Sequence, residues 1–138
     1  MLDALDLPAA MGINNSNELF HDVQSRAVAT SALVFPVFVA PNLKNFSGSG
    51  IDLQTVHLFR MMIEELLVPR LEHASRALIV PLGVVAASGV RYAVTNGRVA
   101  PERVLVGMPH PSGSNGHRHR QFRENAEALR RRISSWFG

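Results

Sequence analysis

The stretch Arg76–Gly97, RALIVPLGVVAASGVRYAVTNG, decides how this chain is read. Its first part, Arg76–Leu82, is a short apolar run of strand length. Gly83 then turns the chain into a second pattern, Val84–Val94, read as a helix that stops at Asn96-Gly97, a pair that ends regular structure. A strand feeding a helix through a tight turn is one unit of an α/β sheet.

Working outward, the same alternation repeats. Downstream, Arg103–Met108 (RVLVGM) reads as another strand. It is followed by the loop PHPSGSNGHRHR and an amphipathic helix over Gln121–Phe137, with Phe122, Ala126, Leu129, Ile133 and Trp136 on one side. Leu78, Val80, Leu105 and Val106 are expected in the strand core. Upstream, Val56, Phe59, Ile63, Leu66, Leu67 and Leu71 recur at helical spacing, predicting a helix over Leu53–Leu71 with Asp52 as its N-cap. Pro69 is expected to end or kink it. Before that helix, Arg26–Phe35 (RAVATSALVF) is β-branched and apolar, and reads as a buried strand stopped by Pro36. The proline- and glycine-bearing segment 36–50 reads as a long structured loop, of the kind that is often functional. At the start, MLDALDL reads as a short helix and MGINNSNELF as turn-rich.

Strand and helix thus alternate three times. The expected fold is a single domain over 1–138, a three-layer α/β/α arrangement around a central, mostly parallel sheet. Right-handed crossovers put the C-terminal ends of such strands along one edge, where open α/β sheets bind ligands. The loops after Phe35, Leu82 and Met108 are expected to converge there.

The composition excludes several classes. The chain has 138 residues, 46% hydrophobic and 18% charged, an ordinary globular balance. No apolar run approaches the roughly 18 residues of a membrane span, so no membrane partner is expected. The acidic start does not read as a secretory signal. Without cysteine there are no disulfides, thiolate zinc sites or cysteine-ligated clusters. A cytoplasmic location is expected. Seven of the 14 Lys and Arg residues follow position 100, against Glu102, Glu124 and Glu127, so this tail carries an excess of four over a net charge of +3. It reads either as a phosphate-attracting surface or as a solvated helix face.

The candidate site lies in Pro109-His110-Pro111-Ser112-Gly113-Ser114-Asn115-Gly116-His117-Arg118. Pro111 holds His110 in extended backbone, because the residue before proline avoids the helical region. Ser112 and Ser114 bring hydroxyls, the following helix start can hold a phosphate, and Arg118 and Arg120 stand nearby. His117 and His119 form His-x-His, but with no carboxylate partner nearby they read as loop residues rather than metal ligands.

Strand, His-Pro-Ser, loop and helix together resemble the second signature motif of the uracil-DNA glycosylase superfamily. ATSALVFPVF resembles that family's central strand and RALIVPLGVVAA its next strand and turn, so the resemblance spans about the whole chain. The resemblance implies hydrolysis of the N-glycosidic bond of uracil or a related damaged base. His110 would be the catalytic group, stabilising charge on the base oxygen. Ser31 and Phe35 would contribute to the base pocket. Lys44, Ser47, Ser112, Ser114, Asn115, Arg118 and Arg120 would contact DNA, single- or double-stranded, with no metal or cofactor. The residues depart from the family pattern in two ways. The first motif, a Gly-x-x-Pro loop that positions the attacking water, is absent, so the domain is expected to be N-terminally incomplete: a late gene start, a natural remnant, or a piece supplied by another chain. Ser31 also stands where many members carry asparagine, which weakens discrimination for uracil. An incomplete sheet would expose an edge and favour self-association. The alternatives are a catalytically inactive DNA-binding remnant and, sharing only topology, a small-molecule or nucleotide hydrolase.

Overall fold

The strongest periodicity becomes the longest helical run in the middle of the chain. The computed structural model describes residues 1–21, 26–46, 48 and 53–138. Ser47 and Asp52, named above as a DNA contact and an N-cap, lie outside the described residues.

In chain order the helices are α1 (Leu7–Met11), α2 (Glu18–His21), α3 (His57–Met62), α4 (Val68–His73), α5 (Gly83–Thr95) and α6 (Arg118–Phe137). A π-helical stretch, Ile63–Leu67, joins α3 to α4 without a break. Pro69 explains it. Proline donates no N–H, and its ring crowds the carbonyl four residues back. The wider π turn just before it absorbs that conflict, and α4 restarts with Pro69 in its first turn. The proline therefore alters the helix rather than ending it.

The expected parallel sheet is not formed. Among the described residues the regular strands are β1 (Phe38–Val39) and β2 (Lys44–Asn45), a two-stranded antiparallel hairpin with Phe38 opposite Asn45. The expected strand Arg26–Phe35 forms no ladder, and all its residues are exposed or half-buried. The two expected strands beyond it shrink to one parallel bridge, Ile79 with Val104. Ile79 N–H donates to the Arg103 carbonyl at 2.7 Å, and Leu105 N–H donates to the Ile79 carbonyl at 2.8 Å. The chain is therefore helix-rich, not a three-layer α/β/α fold, and the expected long sheet edge does not exist among the described residues. Leu105 is fully buried as expected, whereas Val106 is 71% exposed because the chain turns there.

Two apolar clusters form the core. The first joins Phe59, Ile63, Leu67, Val68 and Leu71 to Val90 and Ala93 of α5. The second joins Leu5, Leu7 and Leu19 to Leu105, Met108, Leu129 and Ile133, so α6 is covered by the N-terminal helices. The segments bearing Ile79 and Val104 connect the two clusters, since Ile79 packs on the first and its neighbours Leu78 and Val80 on the second.

Arg103 fastens this connection. It is buried, and its guanidinium donates to the carbonyls of Leu71 (3.0 Å), Ala74 (2.5 Å) and Ala77 (3.3 Å). These lie at and beyond the end of α4, where carbonyls lack intrahelical partners and the helix dipole favours a cation. No described helix is long and apolar enough to cross a membrane.

Candidate functional site

The His110 loop is placed by three glycine- and asparagine-based fastenings. After Leu105 the chain turns at Val106-Gly107, with Gly107 at a φ of +107° that side chains rarely tolerate. Asn125 of α6 donates from Nδ2 to the Gly107 carbonyl at 3.0 Å, tying the turn to the helix. Met108 is buried, and its carbonyl accepts the N–H of Gly83, the first residue of α5, at 3.0 Å. Gly83 itself sits at a φ of +84°, and a Cβ there would stand 2.8 Å from the His110 Cβ. Only glycine lets the start of α5 approach this closely. His110 is therefore held against the first turn of α5.

The ring of His110 has a defined orientation. Its Nδ1 accepts the Ser112 N–H at 3.2 Å. A neutral imidazole that accepts at Nδ1 carries its proton on Nε2. With Nδ1 accepting, Nε2 is left as the donor nitrogen of this exposed residue.

The rest of the loop is bonded to itself. The hydroxyls of Ser112 and Ser114 lie 2.8 Å apart, and Ser112 Oγ also accepts the Ser114 N–H at 3.3 Å. Asn115 is half-buried and works as a clip. Its Nδ2 donates to the His110 carbonyl (3.2 Å) and to Gln121 Oε1 (3.1 Å), while its Oδ1 accepts the His117 N–H (3.3 Å). Arg118 folds back to the carbonyls of Gly113 and Asn115. Arg120 is exposed beside Glu124, at 3.7 Å.

The other sequence-named residues sit elsewhere. Ser31 and Phe35 are exposed, and no hydrogen bond among the described residues links them to the His110 loop. Their neighbour Ala32 packs beside Gly89, about 9 Å along α5 from Gly83. Lys44 is exposed on β2. The backbone at Gly48, by contrast, lies directly against Val85 in the first turn of α5. Gly48 and His110 thus each touch the first turn of α5, at Val85 and at Gly83.

Much of the basic tail is committed to structure. Arg103 is buried, Arg130 reaches Asp6 (3.5 Å) and the Ala4 carbonyl (2.7 Å), Arg131 pairs with Glu127 (2.5 Å), and Arg132 donates to the Pro101 carbonyl (2.7 Å). Sequence reading missed Asn125. Its signal is a polar residue three after Phe122 and four before Leu129, on the buried side of α6. It also missed Gly83 as the seat of His110 rather than a mere turn.

No family model matches this sequence, and no solved structure matches the chain. The sequence is 33% identical over 137 residues to the uncharacterized protein YoxB of Bacillus subtilis (strain 168), covering 99% of this chain and 53% of YoxB. The chain spans about half the length of that curated relative.

Proposed function

We propose that the His110 loop is a DNA glycosylase-type site, acting on the N-glycosidic bond of uracil or a related damaged base. The observation that carries this reading is the exposed imidazole of His110, seated on Gly83, whose Nδ1 accepts the Ser112 N–H and so leaves Nε2 as the ring's donor. In such a step the bond from C1′ to the base nitrogen breaks and its electron pair passes to the base. Negative charge gathers on the base oxygen, where a hydrogen bond from His110 is strongest. Water supplies hydroxide to C1′, and its proton ends on the departing base. A preorganised donor of this kind is worth about 10²–10³ in rate. The target base would have to leave its stack to reach the ring. Salt-sensitive phosphate contacts would hold the DNA, and no metal or cofactor is called for. A cytoplasmic location goes with this reading and is compatible with the cysteine-free sequence.

The test is base excision from uracil-containing single- and double-stranded oligonucleotides, with abasic sites counted after alkali. Abasic product that falls at least about tenfold in His110→Ala is the expected result. Gly83→Ala, which crowds the ring without removing it, should also lower the rate. Product unchanged in His110→Ala would sink the assignment of the donor. A second reading, nucleic-acid binding without excision, is favoured by one observation: Pro109–Arg118 contains no carboxylate to activate water. No product from the unaltered protein, with DNA binding retained, would select it.

A further inference from the structure

A groove of about 480 Å³ runs along α5. Val84, Ser88, Arg91 and Thr95 line it at positions separated by four, three and four residues, which places them on one face of the helix. Gly48, Leu53, Gln54 and Val85 complete its lining among the described residues. The groove begins beside the site just described. Val84 follows Gly83, the residue against which His110 rests. From Val84 to Thr95 the helix advances about 16 Å.

Among the described residues, the groove's lining includes the guanidinium of Arg91 and no carboxylate. Arg91 is exposed and has no hydrogen-bond or ion-pair partner among the described residues. The end next to His110 is the N-terminus of α5, which has no acidic residue in its first turn and no side-chain cap, so the helix dipole adds positive potential there. The hydroxyls of Ser88 and Thr95 flank Arg91 along the same face, while Val84, Val85 and Leu53 supply apolar surface. A cation between hydroxyls, in a shallow groove with apolar walls, matches a strand that alternates phosphates with flat bases.

We infer that this groove is the track for a short single strand of DNA leading away from His110, with Arg91 as its phosphate contact. The inference rests on the reading of His110 as a nucleobase site, and adds the partner's path. An unpaired strand can lay its bases on the apolar wall, whereas a duplex keeps them stacked and paired.

The test is fluorescence anisotropy of a labelled, uracil-free oligodeoxythymidylate across a salt series, using the full chain, Arg91→Gln and Arg91→Glu. Circular dichroism confirms that each variant folds. Arg91→Gln should weaken binding several-fold and lower the slope of log affinity against log salt by about one, and Arg91→Glu should weaken it further. Affinity and slope unchanged in both Arg91 variants would overturn the track. So would a mononucleotide that competes as well as the oligonucleotide, because the groove would then be a small-molecule site. Arg91-dependent binding without excision would remove the glycosylase reading and leave the track. Excision with Arg91-independent binding would do the reverse.

Discussion

Residues 26–46 and residues 53–73 are both rich in large apolar side chains, and they end in opposite environments. Between Leu53 and His73 seven residues are buried: Leu53, Phe59, Met62, Ile63, Leu67, Val68 and Leu71. Between Arg26 and Phe46 none is buried, and Val28, Phe35, Phe38, Val39 and Leu43 are between 48% and 90% exposed. Apolar content therefore does not separate them. What separates them is where backbone hydrogen bonds are made. A helix closes its own N–H and C=O groups within the segment, so α3 to α4 needs only an apolar face to bury. A strand must borrow its partners from a neighbour. Arg26–Phe35 has no neighbouring strand among the described residues, so its β-branched pattern leads to no ladder and to no fully buried residue.

Cutting apolar volume from each region tests this contrast most strongly. Ile63→Ala removes a fully buried side chain from the first core cluster and should cost about 2–5 kcal/mol in denaturant unfolding. Val28→Ala, at 90% exposure, should stay within about 0.5 kcal/mol. Equal losses would mean that residues 26–46 contribute as much packing as the helices.

A smaller effect is expected where the helical region is fastened to the rest. Arg103→Ala leaves the carbonyls of Leu71, Ala74 and Ala77 without their donor and should cost about 1–3 kcal/mol. Arg103→Lys should recover only part of it, because an ammonium lacks the fork that spans three carbonyls. Full recovery by lysine would show that charge alone, not geometry, holds the end of α4.

The smallest effect is electrostatic. Glu72 of α4 receives Arg98 at 2.6 and 2.9 Å, and this pairing holds its carboxyl below the usual range. Asp3 is held low likewise, by hydrogen bonds from Ser16. A carboxyl lowered in the folded state stabilises above its unfolded value, about 4, and loses that contribution as pH falls through the folded value. Thermal melts from pH 6 downward should therefore decline through this window, and the decline should be shallower in Glu72→Gln. Both groups are exposed, so the difference should also shrink with added salt. Tyr92 runs the other way. Its hydroxyl donates to Glu64, which raises its pKa, so that contribution is present at neutral pH and lost only in strong alkali.

Much of the candidate site was legible in local pattern. Pro109-His110-Pro111-Ser112 marks a stiff, exposed histidine, and the loop does present one. Asn115, expected to contact DNA, is bound into the loop by three hydrogen bonds. Ser31 and Phe35 are exposed, with their neighbour Ala32 packed beside Gly89 in the middle of α5, and the strand meant to deliver them does not form.

The sequence by itself determined the helical runs that become α3 to α4, α5 and α6, and the inward residues Phe59, Ile63, Leu67, Leu71, Leu129 and Ile133. Helical hydrogen bonds are local and their apolar period is written in consecutive residues, so no distant partner is needed to read them. Tertiary structure alone decided whether apolar runs pair. It reduced Arg76–Leu82 and Arg103–Met108 to a single bridge at Ile79 and Val104. It also brought Gly83 under His110 and Arg103 under the end of α4. These contacts join residues some thirty positions apart, and local spacing carries no record of which distant groups will meet.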